Sequence, residues 1–109
     1  MTTVTPSAEG AIPWTLLFVD HRETDDFKGI NVHFERSVAA RRIGDQVEFG
    51  HVWDADSYIL PFPPPKMLFA ISYAAALALD PAALPDGEVA DALIARRDAI
   101  GHLIAALPA

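Results

Sequence analysis

Hydrophobic and polar positions alternate most regularly in the middle of the chain. From Ile30, apolar Ile30, Val32 and Phe34 are interleaved with polar Asn31, His33 and Glu35, the period of two expected of a half-buried strand. After Gly44-Asp45 a second alternation runs through Val47, Phe49 and Trp53. A Gly-Asp pair between two such runs predicts a β-hairpin with a two-residue turn. If Ile43 faces Gln46, every pair of opposed residue numbers sums to 89. Ala40 then opposes Phe49, Val38 opposes His51 and Arg36 opposes Trp53, all on the face of Ile30, Val32 and Phe34. Arg41 meets Glu48 on the other face, a favourable cross-strand charge pair. A slip by one residue would break this agreement between turn and pattern.

Upstream, "WTLLFVD" (Trp14–Asp20) is a short apolar run rich in strand formers, and it predicts one further strand. The charged "DHRETDDFKG" that follows is expected to be a solvated loop. Downstream, "SYILPFPPPKMLFAISYAAALAL" (Ser57–Leu79) holds one charged residue and four prolines. The prolines cannot occupy a helix interior, so a helix is expected to begin near Lys66 and to stop at Asp80-Pro81. Such a helix is ~21 Å long, whereas a bilayer core is ~30 Å thick. It is therefore a core helix and no membrane span is expected. Because Met67, Phe69, Ile71, Tyr73 and Leu77 clothe it nearly all round, it needs cover on several sides. A protein partner, or a second copy of the chain, is expected over residues 67–79. The last segment shows a cleaner period: Val89, Leu93, Ile100, Ile104 and Leu107 recur at helical spacing. Asp86 is the expected N-cap.

These elements define an α+β fold, an N-terminal antiparallel sheet (a β-hairpin plus one further strand) packed on two C-terminal α-helices. The expected divisions of a single 1–109 domain are a flexible lead-in (1–13), the sheet (14–54), a proline-rich connector (57–66) and the helices (67–107). At 109 residues the core is small, which makes an oligomer or partner useful. The formal charge of −7 argues against nucleic acid, whose phosphates need a dense basic face. The absence of cysteine excludes disulfides, thiolate metal sites and cysteine nucleophiles. The first residues carry neither the basic nor the apolar region of a secretory signal, so a cytoplasmic protein is expected. Arginine outnumbers lysine and alanine is abundant, as in GC-rich bacterial or phage genomes.

Catalytic spacing is sparse. Asp54-Ala-Asp56 resembles the paired carboxylates of haloacid-dehalogenase-type phosphotransferases, but those need a parallel strand, and here the pair leaves an antiparallel hairpin. It also lacks the glycine and closing glutamate of a calcium loop. His21 lies among Asp20, Glu23, Asp25 and Asp26 at no spacing that a metal requires, so neither metal nor cofactor is expected. The best candidate site is Arg36, His51 and Trp53 on the apolar face of the hairpin, where polar groups are costly unless paired. Arg36 can lie over Trp53 as a cation–π pair. His51 with Asp54 could act as a general base. The order of strands then helices, with an acidic strand end leading through Tyr58 into a helix, is similar to small peptide-chaperone domains of PqqD type over Gln46 to Leu107. That resemblance implies an adaptor, and it carries no residue over. The expected function is a small acidic protein-interaction module, an accessory or inhibitor protein without catalysis. The alternative is a cofactorless enzyme or small-molecule binder with a pocket between sheet and helices around Arg36, His51, Trp53 and Asp54.

Overall fold

The structure, a computed structural model, describes residues 12–56 and 63–109. Most of the expected lead-in, and the connector residues 57–62, lie outside them. The described residues form strands β1 (Thr15–Phe27), β2 (Ile30–Ile43), β3 (Gln46–Ala55) and β4 (Lys66–Ser72), followed by helices α1 (Tyr73–Ala78), α2 (Glu88–Ala95) and α3 (Arg97–Ala105). The strands make an antiparallel sheet in the order β1-β2-β3-β4, and the helices pack on one face of it. The chain is thus α+β as expected, with the sheet one strand larger.

The β2–β3 hairpin has the expected register. Ala40 opposes Phe49, Val38 opposes His51 and Arg36 opposes Trp53, and Arg41 Nε donates to Glu48 Oε1 at 2.8 Å. Gly44 turns the chain with φ of 61°, which costs glycine little.

Four expectations need correction. The charged segment after Asp20 is not a loop, because β1 runs on to Phe27 beside β2. Cross-strand chemistry explains this: Arg22 pairs with Glu35 at 2.9 Å, and Thr24 Oγ1 meets His33 Nδ1 at 2.9 Å. Lys28 and Gly29 then close a tight turn, both at positive φ (53° and 84°), as a type I′ hairpin turn requires.

The helix expected over 67–79 is replaced by β4 and the short α1. A run that is apolar at every position has no period to favour helix over strand. β3 offers an open edge there, and pairing with it satisfies the backbone of Lys66–Ser72. Ser72 then caps α1, its hydroxyl accepting from Ala75 N at 3.1 Å. Tyr73 N donates to Asp45 O at 2.7 Å, which ties α1 to the β2–β3 turn.

The last helix is two, α2 and α3, broken at Arg96, whose φ and ψ are −108° and 14°. Gly87, not Asp86, is the N-cap of α2, with no side-chain cap bond. The expected stripe is nonetheless the buried one: Leu93, Ile100, Ile104 and Leu107 join Val38, Ala40, Val47, Phe49, Ile71 and Leu79 in one core. Fully burying a side chain such as Phe49, Leu79, Leu93 or Ile104 is worth about 1.5–3 kcal/mol each. Among the described residues, no helix is long and apolar enough to cross a membrane.

Both outer strands carry extra residues, two in β1 and one in β4. In β1 Leu17 and Asp20 are bypassed by the pairing with β2, and in β4 Leu68 is bypassed by the pairing with β3. On the sheet face away from the helices, Trp14 and the Lys66 carbonyl close over Gly50. A Cβ at residue 50 would lie 2.9 Å from Trp14 Cη2 and would overlap Lys66 O. Glycine is required there for room, not for conformation.

Candidate functional site

Strand alternation puts Arg36 and Phe34 of β2 on the helix-bearing face with His51 and Trp53 of β3. Arg36 Cζ lies 5.8 Å from the centre of the Trp53 ring. Phe34 and His21 meet the same indole edge-on, at 6.5 and 5.8 Å.

The acid that completes this cluster is Asp20, not Asp54. Asp20 is the extra residue at the second bulge of β1, between the pairs Val19–Ser37 and His21–Arg36. A bulge lets two successive residues oppose one partner, so Asp20 and His21 both reach the Arg36 side of the sheet. Asp20 Oδ1 accepts from Arg36 Nε at 3.1 Å, and Oδ2 accepts from Arg36 Nη2 at 3.2 Å. Oδ2 also meets His51 Nε2 at 3.0 Å. A carboxylate only accepts, so this contact puts the proton on Nε2 and leaves Nδ1 as the second polar atom of the ring. The Asp20, His51 and Arg36 side chains are 17%, 14% and 30% exposed, so the cluster is partly shielded, with one flank wet.

Asp54 stands apart. It opposes Glu35 on the other face and lines a shallow hollow with His33 and Asp56. The parity that places Trp53 inward sends its neighbour outward, so the expected His51–Asp54 pairing does not form. That consequence was available from the alternation alone. Asp20 was harder to find, because a bulge breaks parity; the available signal was a lone acid ending the apolar run Leu16–Val19.

Arg36, His51 and Trp53 line a cleft of about 490 Å³, with Lys66 and the prolines 63–65 as its other wall. Lys66 is placed by β4, where it opposes His51. A second cleft of about 420 Å³ lies between β1 and α2, and Arg36 and His51 line it too. Among the described lining residues there is no hydroxyl of serine or threonine and no thiol. Among the described residues no three His, Asp or Glu side chains gather as a metal site. The arrangement can therefore bind an anion beside an aromatic face, and His51 can pass a proton, but no activated oxygen or sulfur nucleophile stands among the described residues of either cleft.

The residues expected to form a partner interface are dispersed by the strand. Phe69 stacks on Phe49 with ring centres 5.3 Å apart, and Ile71 is buried in the core. Tyr73 lies under Arg42, with Cζ 3.7 Å from the ring centre, and its hydroxyl donates to Ala105 O at 3.2 Å. Met67 and Leu77 remain outside, 49% and 42% exposed. No protein-family model, curated protein or solved structure matches this chain.

Proposed function

We propose that the protein is a non-catalytic binder of a small organic anion, a carboxylate or comparable oxyanion on an apolar or aromatic body. The observation behind this reading is that Arg36, His51 and Trp53 share one cleft with Lys66. Arg36 gives Nε and one Nη2 proton to Asp20 and keeps the rest of its five-donor fork for a ligand. Asp20 holds that fork in a single orientation, so little side-chain freedom is lost on binding. The Trp53 face and the proline wall suit the apolar body. A cleft of this size lies within the ~300–1,000 Å³ typical of small-molecule sites.

NMR titration tests this. The chain has two tryptophans, and only Trp53 lines the cleft. Added 3-phenylpropionate should shift the Trp53 indole resonance and leave that of Trp14 in place, whereas phenylethylamine should shift neither. Arg36→Met should abolish the response. Equal responses to acid and amine would sink the reading.

A second reading, a small acidic protein-interaction module, is favoured by the exposure of Met67 and Leu77. It requires self-association or partner capture that is lost in Met67→Glu/Leu77→Glu. A monomeric parent whose partners survive that change counts against it.

A further inference from the structure

The cluster of Asp20, Arg36 and His51 has a cleft on each side, and Arg36 and His51 belong to both. We propose that the two clefts form one trough for an elongated dianion, a molecule of the α,ω-dicarboxylate type with a charged group at each end and an apolar middle. This rests on the anion-binding reading above and extends it to the far side of the cluster.

The charge distribution carries the argument. The protein has eight Lys and Arg residues against fifteen acids, yet three of the eight, Arg36, Lys66 and Arg96, line the trough. Asp20 grips Arg36 with both carboxylate oxygens, so the centre of the trough carries little net charge, although the remaining Arg36 donors stay open to an anion in the first cleft. The positive ends are Lys66 in the first cleft and Arg96 in the second. Arg96 lies over the Phe18 ring at 4.4 Å, and its Nη1 donates to Ala92 O in its own helix at 3.4 Å. Neither contact neutralises it, and most of its donors stay open. Glu88 shares the wall of the second cleft, but it sits at the start of α2, eight residues before Arg96. Arg96 turns back along the helix towards Ala92, so Glu88 tempers the positive charge at this end, but no ion pair joins these two side chains and the guanidinium is not neutralised by contact. The trough is thus positive at the Lys66 end, close to neutral at its centre and more weakly positive at the Arg96 end. A monoanion leaves one end unanswered.

Calorimetry should compare straight-chain dicarboxylates from succinate to suberate with monocarboxylates of the same carbon number. At one chain length the dicarboxylate should bind about five- to tenfold more tightly than its matched monocarboxylate, the size of one partly shielded charge-assisted contact. Arg96→Gln should erase that advantage while leaving the monocarboxylate affinity unchanged, which also shows that the variant is folded. Equal affinities of mono- and dicarboxylate at every length would overturn the proposal, as would an Arg96→Gln variant that weakens both alike. If monocarboxylates still bind in those cases, the single-anion site stands without the trough. If no acid binds at all, both fall.

Discussion

Replacing Asp20 with Asn probes the cluster directly. The two carboxylate oxygens serve three donors, Arg36 Nε, Arg36 Nη2 and His51 Nε2. Asparagine has the same shape but turns one oxygen into an NH₂ group. Arg36 cannot accept, so in either orientation of the amide one of its nitrogens faces a donor. A hydrogen bond to a charged group contributes about 1.5–3 kcal/mol. Water reaches the Arg36 side chain, which is 30% exposed, and that screening lowers the expected loss to about 1.5–2 kcal/mol. For a domain near this size the shift in Tm is about 4–8 °C per kcal/mol, or about 10 °C in all. Urea unfolding followed by circular dichroism gives the free energy, and a thermal scan gives the Tm. The double variant Asp20→Asn/Arg36→Met removes the stranded guanidinium, so it should be more stable than the sum of the single losses implies, by about 1 kcal/mol. Two results refute the reasoning: a loss for Asp20→Asn below about 0.3 kcal/mol, or single losses that add to within that margin.

Two further perturbations address the frame that holds the cluster. Gly50→Ala should destabilise by about 1–3 kcal/mol, since its Cβ meets the Trp14 ring and the Lys66 carbonyl; an unchanged urea midpoint would show that β4 does not lie that close. Gly29→Ala should cost about 1 kcal/mol, because residue 29 holds φ of 84°. Lys28→Asn, which makes an Asn-Gly turn, should instead raise the midpoint slightly; a midpoint unchanged by Gly29→Ala, or lowered by Lys28→Asn, would mean that the turn is of another type.

How far the sequence could be read differs sharply between elements. The β2–β3 hairpin was legible down to its register because alternation, turn residues and the Arg41–Glu48 pair are three independent signals that agree. The far half of β1 was not, because Arg22 to Asp26 are uniformly polar and their strand conformation comes from pairing with β2, whose own pattern was clear. Residues 67–79 failed for the opposite reason, since uniform apolarity is as blind to period as uniform polarity. In the site, Arg36, His51 and Trp53 were found together because they inherit the hairpin's parity. Lys66 and Arg96 were not placed there, because β3–β4 pairing and the stacking of Arg96 on Phe18 of β1 are long-range facts. Asp20 was missed because parity does not survive a bulge.

That bulge has a consequence for how such a site arises. β1 is one residue longer than the stretch of β2 it opposes at this point, and the surplus residue is the acid that orients the cluster. Removing a single codon would let Val19 and His21 run on in register without touching the core. It would also delete the only carboxylate among the described residues that reaches both Arg36 and His51. The Asp20–Arg36–His51 cluster and the fold of the sheet are therefore separable here by an insertion or deletion of one residue, at the cost in stability expected for losing Asp20. A lineage carrying this sheet could gain or lose the site in one step while keeping its fold.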